Sequence, residues 1–505
     1  MNPSRDEWPR SSGVLMHFTS LAGMAGCGGL GPEAHAFISF LSNAKQTWWQ
    51  TLPVGPPGKG FSPYSALSSF AGGAHLISVE LLAEQGLCEG FECASDVRQD
   101  CIELQAIKQH EAIVRRAARQ FLEGASSEQR AAFTSFCAAN ESWLHDWAMF
   151  DAIARAQGGR NWRRWPAAFR RSNVGAIDAL DPSLREQATL AMVEQFFFQQ
   201  QWDALHARCQ AAGVRLMGDV PFFPALDSAD VWANEHLFDL DASGESRAVA
   251  GVPPDYFSET GQIWESPLYR WDAHAEEGFQ WWTARLRRAA ELYDAVRIDH
   301  FLGMHRCWRV PADASSAIDG AWVMTPGHAL LSAVRDAGVH LPIVAEDLGL
   351  VTPEAESLRD AFGFPGMRVL QFAFDEEDGT SHRPDRIPEH CVAYPGTHDN
   401  DTLNGWIDSL AATDEGRRKL CRTTEYLGAD TAGLRDALLS VLYACNAHTV
   451  IVPMQDALGL GGEARMNVPG AADGSWRWRM RSDANVNGAA VRLRALTEQS
   501  GRART

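Results

Sequence analysis

"ELYDAVRIDHFLGMHRCW", residues 291–308, combines a short apolar run with charged side chains at its end. The run Ala295–Ile298 predicts a β-strand that leads directly into Asp299 and His300. Side chains alternate between the two faces of a strand, so Arg297 and Asp299 share one face and the apolar side chains share the other. The pair allows two interpretations: a structural ion pair, or an arginine that keeps a functional carboxylate ionised.

Similar runs recur along the chain, and most of them end on polar residues. The predicted strands are 13–21, 47–55, 213–223, 293–300, 341–349, 366–374, 390–399 and 448–456. Most are continuous apolar runs, as expected for strands that are covered on both faces. Because helical patterns separate several of them, the predicted fold class is α/β, a (β/α)8 TIM barrel.

Two long interruptions divide the barrel sequence. Residues 56–212 are rich in helical patterns and predict a mainly helical subdomain inserted between strands two and three. Residues 1–55 and 213–505 then form the catalytic barrel. Residues 251–271, rich in Pro, Gly and aromatic side chains, predict a long ordered loop inserted between strands three and four. The tail "TEQSGRART" is expected to be frayed.

The bulk composition is that of an ordinary globular protein with an acidic balance. The 505 residues are 45% apolar and 22% charged, and the formal net charge is −19. Nucleic acids and anionic membrane surfaces select basic proteins, so we expect neither as a partner. The N-terminus lacks a signal peptide's apolar core, no apolar stretch reaches about 20 residues, and the ten cysteines show no zinc spacing. We expect a cytoplasmic protein with free thiols and no metal site.

The polar residues at the strand ends are the candidate functional residues, because the active site of a (β/α)8 barrel lies at the carboxyl ends of its strands. They are Asp219, Arg297, Asp299, His300, Glu346, Asp347, His398, Asp399, Asp401, Gln455 and Asp456. Several carboxylates in one mouth raise one another's pKa, which is unfavourable unless the site uses them. Paired carboxylates without a metal motif are typical of glycoside chemistry. Asp347 points to the opposite face from Glu346 in a regular strand, so we expect it to be structural.

Specific motifs resemble those of the 4-α-glucanotransferases, also called amylomaltases or disproportionating enzymes, glycoside hydrolase family 77 of the α-amylase clan. The matching segments include "WWQTLPVGPPGKGFSPYSALSSFAG", "GDVPFFPALDSADVWANEHLFDLD", "GVPPDYFSETGQIWESPLYRW", "VRIDHFLG", "IVAEDLG", "GTHDNDTLNGW" and "VPMQDALGLGGEARMNVPG". The resemblance covers more than nine-tenths of the chain. It implies retaining transfer of α-1,4-glucan segments between maltooligosaccharides without a cofactor.

The resemblance also implies roles for individual residues. Asp299 matches the nucleophile, Glu346 the general acid/base and Asp399 the carboxylate that stabilises the transition state. The residues matched to substrate binding are Arg297, His300, His398, Asp219, Tyr64, Tyr256, Phe257, Ser258, Trp264 and Asn467.

Departures from the family pattern lie near the expected glucan groove: Phe18, Ser65, Gly73, Glu265, Ser266 and Leu302. They leave the reaction type intact and put chain-length and acceptor preference in doubt. Two alternatives stay open: an α-1,4-glucan hydrolase on the same site, and an inactive glucan-binding protein.

Overall fold

The computed structural model describes residues 9–23, 26–89, 100–170, 182–254, 259–376, 378–471 and 474–504. Its strands are β1 (Ser11–Leu15), β2 (Trp48–Gln50), β3 (Arg215–Pro221), β4 (Ala248–Val252), β5 (Gln262–Pro267), β6 (Ala295–Asp299), β7 (Arg306–Pro311), β8 (Ala321–Met324), β9 (Ile343–Ala345), β10 (Gly366–Val369), β11 (Cys391–Tyr394) and β12 (Thr449–Pro453). Within these residues, eight parallel strands form one sheet in the order β10-β11-β12-β1-β2-β3-β6-β9. Each of them lies within or overlaps one of the runs predicted from sequence, so the (β/α)8 barrel is confirmed.

The barrel closes between β9 and β10. Ala345 N donates a hydrogen bond to Pro365 O at 2.9 Å, which joins the two edges of the sheet. Asp347, the second residue after β9, accepts a hydrogen bond from Met367 N at 2.6 Å and forms an ion pair with Arg359. Asp347 therefore holds the closing strands together, in agreement with the structural role expected for it.

The helices surround the barrel and fill the segment between β2 and β3. They are α1 (Pro32–Asn43), α2 (Val79–Glu84), α3 (Leu104–Gly124), α4 (Ser127–Ala139), α5 (Glu141–Ala156), α6 (Pro182–Ala211), α7 (Ala229–Ala233), α8 (Trp271–Glu276), α9 (Gln280–Leu292), α10 (Gly327–Asp336), α11 (Pro353–Ala361), α12 (Leu403–Leu410), α13 (Asp414–Leu427), α14 (Leu434–Ala444), α15 (Met454–Leu458) and α16 (Val486–Gln499). None of the helices in the described residues is long and apolar enough to cross a membrane.

The long helix α6 belongs partly to the barrel. On its carboxyl half, Trp202 Nε1 donates to Leu292 O at 2.9 Å, and His206 Nε2 lies 3.1 Å from Asp294 Oδ2. The helix also packs on α5 and α3, and in the contact with α3 Phe197 lies 5.6 Å from Phe121 between ring centroids. The end of the helical subdomain at residue 212 therefore stays a prediction.

A second sheet lies beside the barrel. In the described residues it has four antiparallel strands in the order β5-β4-β7-β8. Strand β5 falls inside the segment 251–271 that the sequence analysis treats as a loop, and Gln262 pairs with Val252 there. The Pro, Gly and aromatic content of this segment predicts a loop, but residues 262–267 form a short edge strand that pairs with the preceding strand β4.

The carboxyl-terminal tail is ordered, so the expectation of a frayed tail is wrong. Helix α16 continues to Gln499, and the side chain of Arg502 is fully buried. Arg502 donates hydrogen bonds to the carbonyl oxygens of Tyr443 at 2.8 Å and Ala447 at 2.9 Å. Its contact with Ser11 O at 3.1 Å places it beside the start of β1, at the face of the barrel opposite the strand ends that carry the candidate site.

Candidate active site

Arg297 lies at the centre of the candidate site and contacts two carboxylates. Its Nη1 lies 2.6 Å from Asp219 Oδ2, and its Nη2 lies 2.5 Å from Asp299 Oδ1. Arg297 is 4% exposed, so both ion pairs are shielded from water on the arginine side. Parallel pairing of β3 with β6 sets Asp219 opposite Arg297, which explains how residues 78 positions apart meet. One buried guanidinium therefore balances the negative charge of two carboxylates.

Asp219 is the deepest carboxylate of the group. Tyr64 donates its hydroxyl hydrogen to Asp219 Oδ2 at 2.8 Å. Burial raises the pKa of Asp219 to about 6, although Arg297 opposes this shift. Its second oxygen, Oδ1, is buried and has no hydrogen-bond partner among the described residues. That oxygen is available to a ligand hydroxyl.

Glu346 accepts two main-chain hydrogen bonds. His300 N donates to Oε2 at 2.7 Å, and Leu348 N donates to Oε1 at 3.0 Å. His300 adopts the left-handed conformation with φ of 54° at the end of β6, where its N–H reaches the neighbouring carboxyl group. Burial raises the pKa of Glu346 to about 7; Arg297 acts against the shift and Asp299 adds to it. Glu346 can therefore hold a proton near neutral pH.

The register of the barrel places Asp299 beside Glu346. Strand β6 pairs with β9 so that Ile298 faces Ala345, and Glu346 N donates to Ile298 O at 3.1 Å. The two carboxylates thus follow paired residues on neighbouring strands, which lie about 4.8 Å apart in a sheet. Retaining glycosidases hold their two carboxyl groups about 5 Å apart. The register therefore brings both side chains to the same end of neighbouring strands, where a nucleophile and a proton donor are needed.

Asp399 comes from the loop after β11 and remains partly accessible. Its side chain is 43% exposed, and its Oδ2 lies 3.3 Å from His398 Nε2. Asn467, in the loop after β12, donates from Nδ2 to Asp399 Oδ1 at 2.6 Å. Desolvation in the pocket would raise the pKa of Asp399, but His398 and Asn467 outweigh it and lower the pKa well below its usual value. Asp399 therefore carries a stable negative charge.

Aromatic rings line two sides of the carboxylate group. Tyr64 stacks on His398 with ring centroids 5.0 Å apart, and Trp476 packs against both rings at 5.6 and 5.8 Å. On the other side, Trp264 contacts the ring of His300 at 4.7 Å. Burial lowers the pKa of His300 to about 4, so its ring is neutral at physiological pH. Its Nε2 is buried without a hydrogen-bond partner in the described part of the chain and can bond a ligand hydroxyl.

The structure brings most of the predicted site residues together. They are Asp219, Arg297, Asp299, His300, Glu346, His398, Asp399, Tyr64, Trp264 and Asn467. The predicted residues Tyr256, Phe257 and Ser258 lie outside the described residues. The roles of all these residues stay predictions.

Two carboxylates that the sequence places at the barrel mouth have local partners instead. Asp456 is buried and accepts a hydrogen bond from Leu403 N at 2.7 Å, at the start of α12. Asp401 Oδ1 accepts from Thr402 N at 2.8 Å. Across the residues described, no group of three or more His, Cys, Asp and Glu side chains could hold a metal ion.

Sequence reasoning missed Trp476 and Arg465, which contact the group from the loop after β12. Arg465 donates to the carbonyl oxygen of Asp399 at 2.6 Å. Neither residue lies at the carboxyl end of a barrel strand, which is where the sequence analysis looked for functional residues. The segment "EARMNVPG" inside a matched family segment could have indicated Arg465.

Comparisons with known proteins agree with this geometry. A family model for glycoside hydrolase family 77, described as 4-alpha-glucanotransferase, matches residues 16–485. A 4-alpha-glucanotransferase of Thermus thermophilus is 43% identical over 98% of this chain and 100% of that protein. One from Streptococcus pneumoniae is 40% identical over 94% of each chain. The solved structure of an amylomaltase from Streptococcus agalactiae in complex with acarbose superposes with a TM-score of 0.92, at 34% identity, over 98% of this chain and 100% of that one. The chain belongs to glycoside hydrolase family 77, the 4-alpha-glucanotransferase family.

Proposed function

We propose that this enzyme transfers a segment of an α-1,4-glucan from a donor to the 4-hydroxyl group of an acceptor glucose or maltooligosaccharide. The observation that carries the proposal is the placement of Asp299 and Glu346 on paired strands, with Arg297 bonded to Asp299 at 2.5 Å. Family membership supports the same reaction. The residue roles below rest on this geometry and on the chemistry of paired carboxylates.

The first half of the reaction transfers the donor segment to the enzyme. Asp299, which is ion-paired with Arg297, attacks the anomeric carbon of the glucosyl unit, and the bond to the glycosidic oxygen breaks. Glu346 gives its proton to that oxygen, so the shortened glucan leaves as an alcohol. Asp399 and Asp219 hold the hydroxyl groups of the reacting sugar, and the negative charge of Asp399 stabilises the positive charge that develops on the ring.

The second half transfers the segment to the acceptor. Glu346, now ionised, takes the proton of the acceptor's 4-hydroxyl group while the oxygen attacks the anomeric carbon. The ester bond to Asp299 breaks, and the carboxylate is restored. Two inversions at the same carbon give net retention of the α configuration. Glu346 gives a proton in the first half and takes one up in the second, while Asp299 is the nucleophile of the first half and the leaving group of the second.

Transfer requires that a sugar, rather than water, reaches the covalent intermediate. Trp264 and Phe223, with ring centroids 6.5 Å apart, give the site an apolar wall on the side of His300. An apolar wall favours a sugar ring, whose C–H faces pack on aromatic rings, over water. We propose that residues 251–271 extend this cover, and that residues 56–212 form the helical subdomain beside the donor side of the groove.

We also propose a cytoplasmic location. Nine cysteines of the described residues are free, including five that are buried, which suits a reducing compartment.

Incubation with maltotriose tests the proposed reaction. Purified protein should produce glucose and a ladder of longer maltooligosaccharides while the total number of reducing ends stays constant. Asp299→Asn should abolish the ladder and leave glucan binding intact. A rise in reducing ends without longer products would mean hydrolysis, and binding without turnover by the wild type would mean an inactive glucan-binding protein.

A further inference from the structure

The segment 465–467, which follows α15, donates hydrogen bonds both to the main-chain carbonyl oxygen of Asp399 and to its side-chain carboxylate. Arg465 Nη2 donates to Asp399 O at 2.6 Å, and Arg465 Nε donates to Asn467 O at 2.8 Å. Asn467 in turn donates from its side chain to Asp399 Oδ1 at 2.6 Å and from its main chain to His398 O at 3.1 Å. Three hydrogen bonds therefore join residues 465–467 to residues 398–399. They use Oδ1 of the Asp399 carboxylate and leave Oδ2 for other partners.

The guanidinium group suits this bridge. One planar group donates from two different nitrogens to carbonyl oxygens on two different loops, which fixes the distance and angle between the loops. A lysine ammonium is a point charge on a flexible stem and would not fix that geometry. Both of these hydrogen bonds of Arg465 go to main-chain carbonyl oxygens, and among the residues that the structure describes no carboxylate lies within ion-pair distance of it.

The same segment reaches the rings that line the site. Trp476 N donates to Met466 O at 2.7 Å, which closes the loop next to Arg465. The Trp476 ring then packs on Tyr64 and on His398. A shift of Arg465 would move the carboxylate of Asp399 through Asn467 and the rings through Met466.

We propose that Arg465 is a positioning residue that sets the place of the Asp399 carboxylate for the transfer reaction. The inference rests on the proposed function, in which Asp399 stabilises the transition state. Arg465 acts through Asp399 and Asn467, so its loss should lower kcat more than it raises KM. A displacement of about 1 Å in a catalytic group can cost about 100-fold in rate.

The test compares Arg465→Lys and Arg465→Ala with the wild type in maltotriose transfer, together with Asn467→Ala and the double variant Arg465→Lys/Asn467→Ala. We expect kcat to fall about 10- to 100-fold in Arg465→Lys with a KM change below about threefold. The double variant should lose little more than the larger single loss, because both changes displace the same carboxylate. Arg492→Lys is the matched control, since Arg492 Nη2 donates to Ala457 O at 2.9 Å in the same region and reaches no carboxylate of the site.

Two readouts separate positioning from a merely structural role. Arg465→Lys should keep a melting temperature close to that of Arg492→Lys while only the former loses kcat. A kcat within about twofold of the wild type, or additive losses in the double variant, would overturn the inference. If the wild type transfers glucan and Arg465→Lys does so equally well, only this inference is contradicted. If the wild type itself shows no transfer, the proposed function is contradicted.

Discussion

Glu346 shows how the site prepares a general acid at neutral pH. Burial raises the pKa of Glu346 to about 7, and the reaction needs this carboxyl group protonated when the donor bond breaks. The rate with an ordinary glucan donor should therefore fall as the pH rises through about 7, because the acid form is lost above its pKa. The pH profile of kcat/KM for maltotriose should show this alkaline limb.

A donor with a better leaving group isolates the role of Glu346. With α-maltosyl fluoride the leaving fluoride needs no proton, so Glu346→Gln should keep the first half of the reaction and lose the alkaline limb. The same variant should be nearly inactive on maltotriose. Equal losses on both donors would contradict the assignment of Glu346 as the acid.

His274 offers a stability prediction away from the site. It is 1% exposed and lies among the rings of Phe238, Tyr269, Trp271 and Trp281. Burial lowers the pKa of His274 to about 4. The unfolded chain takes up this proton below pH about 6.5 and the folded chain does not, so the residue reduces stability as the pH falls from about 6.5 towards 4.

Replacing His274 should remove that pH dependence. We compare the free energy of unfolding of His274→Phe with that of the wild type at two pH values. The difference should favour the variant by about 2 kcal/mol more at pH 5 than at pH 7.5. Thermal or urea unfolding at the two pH values measures this difference. His145 is exposed, and His145→Gln should leave the difference unchanged. A relative stability of His274→Phe that is the same at both pH values would contradict the assignment of a neutral buried ring.

The residue-scale pattern of the site was partly predictable. Alternation along one strand places Arg297 and Asp299 on the same face, and the structure joins them. The bond from Arg297 to Asp219 was not predictable from that strand alone, because it depends on the register between β3 and β6. The contact of Asn467 with Asp399 depends on two loops, for which periodicity carries no information.

At the scale of elements, strand β5 contains a strained position. Glu265 has a φ of 60°, in the left-handed region that glycine adopts freely. The family pattern usually has glycine there. A non-glycine residue in this region costs about 1 kcal/mol, while the exposed ion pair of Glu265 with Lys59 at 2.8 Å contributes less than about 1 kcal/mol.

Substitutions at Glu265 should separate the two contributions. Glu265→Gly loses the ion pair and gains the backbone freedom, so it should be about as stable as the wild type or slightly more stable. Glu265→Ala loses the pair and keeps the strain, so it should be about 1 kcal/mol less stable than Glu265→Gly. Lys59→Ala is the control that removes only the pair. Equal melting temperatures for Glu265→Gly and Glu265→Ala would contradict a left-handed conformation at this position.

The elements of the barrel were more predictable than those of the second sheet. Barrel strands such as β12 are buried continuous runs, and such runs are visible in the sequence. Strand β5 contains Glu265 and ends in a proline, so it lacks the apolar pattern of a strand. Strand β8 is an apolar run of only four residues, Ala321–Met324, and most of them are exposed in the structure. Each pairs with the strand that precedes it in the chain, β5 with β4 and β8 with β7, and the long-range pairing of β4 with β7 joins the two pairs into one sheet.

For the whole molecule, Arg502 ties the end of the chain to the start of the barrel. Its guanidinium is fully buried and donates to the carbonyl oxygens of Ser11, Tyr443, Cys445, Ala447 and His448. Arg502→Ala removes a hydrogen bond from all five oxygens; those of Tyr443 and Cys445 keep Arg10 as a donor, and that of His448 keeps Ser11 N. The loss at the remaining buried oxygens should cost about 3 kcal/mol of folding stability. Urea unfolding measures the loss.

Arg502 lies far from the candidate site, so the activity of the folded Arg502→Ala variant serves as a control for this prediction. It lies beside the start of β1, whereas the site residues follow the ends of the strands. The kcat of the folded variant at low temperature should therefore equal that of the wild type. Arg504 is exposed, and Arg504→Ala should be close to wild type in stability. A frayed tail would make both variants equally stable and would contradict the observed packing.

The central claim is that Asp299 forms the covalent bond to the donor sugar, and mass spectrometry of a slowed variant tests it most directly. Glu346→Gln should react with α-maltosyl fluoride and then accumulate the glycosyl-enzyme, because the acceptor lacks a base. Peptic digestion should locate one added maltosyl unit on the peptide that contains Asp299. The Asp299→Asn/Glu346→Gln variant should give no adduct. An adduct on another residue, or turnover of the fluoride with inverted product and no adduct, would contradict the account.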